Sequence, residues 1–280
     1  MRRALGALVA AVLLLAVAVG GVVLALRSLE TDLPFVARCT ATDGDASATL
    51  APDQAGNAAM IAAIAVERGL PARAVTIAIA TAMQESRLRN IDYGDRDSLG
   101  LFQQRPSQGW GTEGQVMDPV YATNAFYDAL VEIDGYQDME VTVAAQEVQR
   151  SAFPEAYAQH ESMARLFASS LTGWSEASLT CRLADGAETD GDDDALVGLL
   201  ARDLPSASAE PLDGRDAVRL SLDPADRADW VLAHWAVATA ELTGVREVVV
   251  GDLRWTRDDA TDGWATTSEP SPDGTVLIVD

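Results

Sequence analysis

The most strongly hydrophobic stretch of the chain lies at its N-terminus, where residues 4–26 contain no charged side chain. A run of this length can cross the hydrocarbon core of a bilayer, about 30 Å thick, and exceeds the apolar part of a secretory signal peptide. Two arginines precede the run, whereas Arg27 after it is offset by Glu30. The pattern predicts an uncleaved transmembrane anchor over residues 1–27, with a cleaved signal peptide as the alternative. The N-terminus is then cytoplasmic, and the bulk of this single-pass cell membrane protein is extracytoplasmic.

Helical periodicity dominates the next part of the chain. Residues 28–52 are polar and small, which predicts a linker. After it, apolar positions recur at helical spacing, and Gly69 ends the first helix of the series. The helices predicted in this way cover residues 53–68, 71–89, 119–131, 141–150 and 154–171. Because strand signals are scarce before residue 180, we predict one mainly helical domain over residues 53–183.

The pattern changes after an acidic stretch with few apolar residues. Residues 184–195 contain a run of like charge, which is typical of a solvated linker. Beyond it, one helix is predicted over residues 226–244, and β-branched runs at 245–255 and 274–280 predict strands. Residues 196–280 are therefore predicted to form a small α+β domain.

Four tryptophans lie in this C-terminal domain. Trp230 and Trp235 follow the helical periodicity and are expected in the core. Trp255 and Trp264 flank a turn, and we expect them at the surface. A cell-wall protein is accordingly kept open as a partner of the C-terminal domain.

Charge and cysteine content narrow the range of partners and compartments. The 280 residues carry a formal net charge of −23, which disfavours nucleic acid as a partner. Cys39 and Cys181 are the only cysteines and bracket the helical domain. Because disulfides persist outside the cytoplasm, we predict that the two cysteines of an exported chain form a disulfide, and two free thiols are the alternative. The two histidines lie in different domains, so we expect neither a metal site nor a cofactor.

A glutamate stands at the end of the most apolar predicted helix. Glu85 follows Ala82 by three positions and Ala78 by seven, so the three side chains share one helix face. A carboxylate among small apolar residues is poorly solvated, which favours its neutral form. A protonated carboxylic acid near neutral pH is what a glycosidase requires to protonate a leaving oxygen. The alternative is an ordinary glutamate of the last turn that reaches solvent.

The residues that follow Glu85 carry a family resemblance. The segment reads Glu85-Ser86, a Gly-containing polar loop with Tyr93, and then Gly-Leu-Phe-Gln at residues 100–103. This pattern resembles that of the soluble lytic transglycosylases and goose-type lysozymes over residues 55–170. Phe102 replaces the usual Met, and Tyr93 replaces a Trp.

The resemblance implies a lysozyme-like fold and peptidoglycan glycan strands as substrate. Glu85 would be the acid that protonates the oxygen between N-acetylmuramic acid and N-acetylglucosamine. In the transglycosylase route the substrate's own C6 hydroxyl attacks, and one carboxylate suffices. In the hydrolytic route a second carboxylate directs water, for which Asp95 is the candidate and Asp92 and Asp97 are rivals. Ordinary turn chemistry is the alternative explanation for these three aspartates.

The same resemblance indicates which side chains would bind the glycan. The family carries Ala-Tyr-Asn-Ala-Gly late in the domain, whereas this chain has Gln146 where the Tyr is expected. Gln149 lies one turn further along the same predicted face, and Tyr157 is a candidate to supply the missing phenol. The complete set of predicted substrate-binding residues is Ser86, Gln103, Gln104, Trp110, Gln146 and Tyr157.

Taken together, these patterns predict a membrane-anchored, extracytoplasmic enzyme that cleaves peptidoglycan in the manner of a lytic transglycosylase or muramidase. The alternative is a lysozyme-like module without catalytic activity that binds glycan or a cell-wall partner. An accessory protein of a transport system is a third option, for which no residue pattern speaks.

Overall fold

The computed structural model describes residues 13–24, 35–150, 155–184, 193–212, 217–223, 227–257, 263–272 and 275–279. The chain divides into two units, residues 1–36 and residues 37–280. In the first unit, residues 13–24 form helix α1.

The predicted transmembrane anchor is not supported by this N-terminal unit. Among the described residues, no helix combines the length and apolar character that a membrane crossing requires. Of the predicted anchor, residues 13–24 are described, and they form helix α1. The remainder of the predicted anchor, residues 1–12 and 25–27, lies outside the described residues. The anchor over residues 1–27 and the single-pass membrane localisation derived from it are therefore wrong.

The larger unit combines helices with two antiparallel sheets. Its described helices are α2 (Pro52–Glu67), α3 (Ala72–Ser86), α4 (Glu113–Val116), α5 (Pro119–Val131), α6 (Val141–Gln149), α7 (Glu161–Leu171), α8 (Asp193–Asp203) and α9 (Ala228–Thr243). Its described strands are β1 (Arg38–Asp43), β2 (Ala46–Leu50), β3 (Leu179–Arg182), β4 (Ala207–Pro211), β5 (Ala217–Leu222), β6 (Glu247–Val250), β7 (Leu253–Thr256), β8 (Ala265–Thr266) and β9 (Thr275–Val279). Single 3-10 turns lie at Pro106–Gln108 and Ala158–His160. The predicted fold class is therefore wrong in two respects. The described part of the chain contains no helix that could span a membrane, and the helical part includes a sheet.

That sheet is three-stranded, in the order β2-β1-β3. Strands β1 and β2 form a hairpin through Gly44, whose φ of 56° suits a residue without a side chain. The hairpin occupies part of the predicted linker 28–52, of which residues 28–34 lie outside the described residues. Cys39 faces Cys181 on β3, and the two form the predicted disulfide, which is confirmed. Its sequence separation is 142 residues, so on the chain-entropy model it contributes about 4–5 kcal/mol.

Helix α3 runs through the centre of the helical part. Residues 74–82 are all buried because Ala, Val, Ile and Thr side chains cover every side of the helix. It packs against α2, α5, α6 and α7. Each fully buried Ile or Val side chain stabilises the fold by about 1.5–3 kcal/mol. This packing holds the C-terminal end of α3, and with it Glu85, against its neighbours.

The C-terminal part is a six-stranded antiparallel sheet in the order β4-β5-β9-β6-β7-β8, with α9 packed against β5, β6 and β9. Helix α9 is buried almost throughout, since it also packs against α2 and α7 of the helical part. Of the predicted acidic linker before this part, residues 185–192 lie outside the described residues.

The two tryptophans predicted to lie at the surface are instead packed between the two parts. Trp255 is 1% exposed, and its indole N–H donates to Thr180 Oγ1 at 3.2 Å. Trp264 is half-buried, and its indole N–H donates to the carbonyl of Leu179 at 2.9 Å. Strand β3 provides both acceptors, so the expectation of a partner surface built from these two rings is not supported.

Candidate functional site

Glu85 occupies the last turn of α3, and its side chain is only partly accessible. The helix ends because Arg87 and Leu88 adopt left-handed conformations, with φ of 57° and 55°. The backbone N–H of Leu88 donates to the carbonyl of Ala82 at 3.0 Å, and the Leu88 side chain is buried. This closure turns the chain away from the helix axis directly after Glu85.

The surroundings of Glu85 favour its neutral form. Burial raises the pKa of Glu85 above its ordinary value, and this effect outweighs hydrogen bonds from Tyr157 and Gln149, which favour the charged form. The phenol of Tyr157 donates to Glu85 Oε1 at 2.7 Å. Tyr157 is fully buried. The structure therefore brings together the predicted acid and the phenol that the sequence suggested from a separate element.

The segment 100–102 lies beside the end of α3. Ser86 Oγ donates to the carbonyl of Leu101 at 2.6 Å, and the Ser86 side chain is buried. Gly100 has a φ of 76°, and a Cβ there would lie 2.2 Å from the carbonyl oxygen of Val116. Phe102 is buried and stacks on Phe126 with ring centroids 4.7 Å apart. Ser86 thus ties this segment to α3, which is a structural role, and its contact with substrate stays a prediction.

The two glutamines that follow hold the loop. The Gln103 amide donates to the carbonyls of Tyr93 and Gly100 at 3.2 and 3.3 Å. Its side chain lies so close to Gly94 that a Cβ at that glycine would be 2.0 Å from Gln103 Oε1. Gln104 is 1% exposed, and its amide donates to the carbonyl of Ala122 at 2.9 Å. A substrate-binding role for Gln104 stays a prediction that its burial disfavours.

A surface cleft of about 1030 Å³ opens next to this cluster. It contains two of the predicted substrate-binding residues, Trp110 and Gln146, together with Gln149. The described residues that line it are Gln108, Gly109, Trp110, Ala129, Glu132, Ile133, Gln146, Glu147, Val148, Gln149 and Arg150. Glu85 is not in this lining. Gln149, which hydrogen-bonds Glu85, is therefore the contact between the acid and the cleft.

The candidate second carboxylates lie in a different environment. The Asp95 side chain is 93% exposed, with Arg96 Nε 3.9 Å from its carboxylate, and Asp92 is likewise exposed. Hydrogen bonds from the side chain and backbone of Ser107, and from Arg105 at 2.8 Å, hold the pKa of Asp97 well below its usual range. Asp97 therefore joins the loop to the 3-10 turn at Pro106–Gln108.

Gln149 is the residue of this cluster to which sequence reasoning gave no definite role. Its amide donates to the carbonyl of Phe102 at 2.8 Å in addition to its hydrogen bond with Glu85. The available signal was its position three residues after Gln146, on the same face of a short helix. Within the described ranges, no three His, Cys, Asp or Glu side chains are placed to hold a metal ion.

Comparison with known proteins adds no assignment. Neither the protein-family models nor the curated proteins include a match to this chain. The function is therefore inferred from the cluster around Glu85.

Proposed function

We propose that the protein cleaves glycosidic bonds in peptidoglycan, with Glu85 as the general acid. The observation that carries the proposal is a partly buried carboxylic acid whose raised pKa favours protonation, held by a buried phenol beside a large cleft. Such an acid can protonate a glycosidic oxygen as the bond breaks, which supplies about 10²- to 10⁴-fold of rate.

A route with a single carboxylate fits the cluster better than a route with two. Asp95 is exposed and Asp97 is engaged by Arg105 and Ser107, whereas the side chains that contact Glu85 are a phenol and an amide. In the single-acid route, Glu85 gives its proton to the leaving oxygen, and the bond from that oxygen to the anomeric carbon breaks. The C6 hydroxyl oxygen of the same sugar then bonds to the anomeric carbon, and its proton returns to Glu85. The product is an anhydro sugar, and no water is consumed.

The cleft contains side chains that suit the sugar rings of a glycan. Trp110 is half-buried, so part of its ring remains accessible to the apolar face of a sugar. Gln146 provides an amide group, which matches the N-acetyl groups of the substrate in hydrogen-bonding capacity. These residues also suit the alternative function, in which the cleft binds glycan without cleaving it.

The test is digestion of purified peptidoglycan with the full chain, followed by mass spectrometry of the soluble fragments. We expect fragments with anhydromuramic ends, and we expect Glu85→Gln to reduce their release by at least about 100-fold. Glu113→Gln makes the same chemical change at an exposed position of α4 outside the cleft, and it should release fragments at the unmodified rate.

Cosedimentation with insoluble peptidoglycan separates the two functions. If the unmodified chain sediments with the wall and releases no fragments, the cleft binds glycan and the enzymatic proposal fails. If it neither sediments nor releases fragments, both functions fail.

A further inference from the structure

The segment 100–102 is attached both to α3, which carries Glu85, and to α6. Its Leu101 carbonyl accepts a hydrogen bond from Ser86 on α3, and its Phe102 carbonyl accepts one from Gln149 on α6. Two adjacent carbonyl groups therefore connect the two helices through side chains next to the acid. Because Phe102 is buried against Phe126, these carbonyls are held in place by core packing.

Gln149 makes the second of these attachments and also contacts the acid. An amide NH₂ carries two hydrogens, and the carbonyl of Phe102 takes one of them at 2.8 Å. The Gln149 side chain also interacts with Glu85 and favours the charged carboxylate, as an amide N–H beside a carboxylate does. With the Tyr157 phenol 2.7 Å from Oε1, the carboxyl group is held from two elements, α6 and the segment after it.

We propose that Gln149 is a positioning residue for the glycosidic cleavage proposed above, because its amide is anchored on the Phe102 carbonyl at the edge of the cleft and holds the neighbouring Glu85 carboxyl in place. The position of Gln149 supports this role, since it is the last residue of α6 and also lines the cleft. Helix α6 ends at this point because Arg150 adopts a φ of 50° and its N–H donates to the carbonyl of Gln146 at 2.7 Å. The backbone of Gln149 is thus fixed by the helix cap that directly follows it.

A positioning role and a merely structural role predict opposite changes in the acid. Loss of the amide donor removes a hydrogen bond that stabilises the carboxylate, so the pKa of Glu85 should rise. If Gln149 only supports local packing, its substitution should loosen the site and admit water. Better solvation of the carboxylate would then move its pKa down, toward the ordinary value.

The experiment is a pH titration of the full chain by NMR, with the side-chain carboxyl carbon of glutamate labelled with ¹³C. The resonance of Glu85 is assigned by its absence from the Glu85→Gln spectrum. We compare the unmodified chain with Gln149→Met, which keeps the length of the side chain and removes its hydrogen bonds. Gln108→Met makes the same change at an exposed glutamine elsewhere in the cleft lining and should leave the titration of Glu85 unchanged.

An upward shift of the titration midpoint in Gln149→Met, alongside an unshifted Gln108→Met control, supports the proposal. A midpoint that is unchanged or lower overturns it. Gln149→Leu is the second variant if Gln149→Met does not fold, and the same two outcomes decide it. The titration needs no substrate, so its result stands even if the unmodified chain cleaves nothing and the proposed function fails.

If the unmodified chain does cleave peptidoglycan, kinetics add a second readout. A misplaced acid lowers the rate of bond cleavage more than it weakens substrate binding. Gln149→Met should therefore lower kcat by about 10- to 100-fold with a much smaller change in KM. A rise in KM with kcat unchanged would instead assign Gln149 to substrate binding, and the positioning role would be wrong.

Discussion

Glu85 in the helical part and His234 in the C-terminal part are both titratable groups that burial moves toward the neutral form, but their surroundings differ. His234 is 0% exposed, and burial lowers its pKa to about 4. Its Nδ1–H donates to the carbonyl of Ser170 at 2.7 Å, and its Nε2 accepts from the N–H of Ser178 at 3.3 Å. Both ring nitrogens are therefore satisfied by backbone groups of the helical part.

The contrast separates a structural group from one for which a chemical role is proposed. His234 is enclosed, with the rings of Trp230 and Trp264 at 5.1 and 6.0 Å between centroids. Glu85 is only partly buried and touches a residue of the cleft. A polar group that is completely enclosed and paired specifies packing, whereas one that is poorly solvated and still reachable can exchange a proton with a ligand.

The largest effect that tests this contrast is the loss of the His234 side chain. His234→Ala removes a buried ring and leaves the carbonyl of Ser170 and the N–H of Ser178 without this partner. We expect the free energy of unfolding, measured by urea titration at pH 7.5, to fall by about 4 kcal/mol. His160 is the matched control, because it is only half-buried and contacts Gln84 Oε1 at 3.0 Å. His160→Ala should cost less than about 1 kcal/mol, and equal losses in the two variants would remove the distinction.

A somewhat smaller effect follows from the protonation of His234. Its pKa is lowered from 6.5 to about 4 in the folded state, so the unfolded chain binds the proton more readily. The stability contributed by the neutral ring is complete above pH 6.5 and is lost as the pH falls toward 4, by about 3 kcal/mol in total. The many carboxylates of the chain also titrate in this range. The measurement is therefore the difference in slope between the unmodified chain and His234→Gln, which should lack this contribution.

Parts of the fold could be predicted because local chemistry determines them. Gly69 and the apolar run after it place the two central helices, and the disulfide followed from the cysteine count and the assumed compartment. Strands β1 and β2 could not be predicted in this way, because their sequences, RCTATD and ASATL, lack large β-branched residues. They are strands because β1 pairs with β3, which is distant in sequence. Trp255 and Trp264 were misplaced for the same reason, since β3 provides their partners.

The candidate site shows the same limit. The position of Glu85 on an apolar helix face could be predicted from spacing, and Tyr157 from the need for a phenol. The role of Gln149 depends on a backbone carbonyl, that of Phe102, and a carbonyl leaves no trace in the sequence. The glutamines at 103 and 104 look like substrate ligands by pattern, yet their amides donate to backbone carbonyls. Side chains that bond to the backbone are the part of a site that sequence patterns reveal least.

The next effect sharpens the comparison from the Glu85 side, since its sign is opposite to that of His234. The pKa of Glu85 is raised from its ordinary value of 4.5 in the folded chain. Above pH 4.5 the unfolded chain therefore releases a proton that the folded chain still holds. Stability is therefore lost as the pH rises through the folded-state pKa. Glu85→Gln removes this cost and should increase the free energy of unfolding at pH 8 by up to about 1 kcal/mol. The gain should vanish near pH 4, where both states are protonated, and Glu113→Gln should show no such change. A destabilised Glu85→Gln variant at pH 8 would place Glu85 with His234 among the structural groups.

The smallest expected effect concerns Asp95, the exposed carboxylate that the hydrolytic route would require. Because its side chain is 93% exposed, Asp95→Asn should change Tm by less than about 2 °C. In the single-acid route it should also leave the release of anhydromuramic fragments from peptidoglycan within about twofold, since no step needs a second carboxylate. Loss of release in Asp95→Asn, together with reducing rather than anhydro ends from the unmodified chain, would show that a water is directed by this loop. Glu85 would then act together with Asp95, and Asp95 would reach the site only when bound substrate draws its loop closer. The contrast between an enclosed and a reachable group would have to include a third kind of residue, exposed in the free protein and recruited by the ligand.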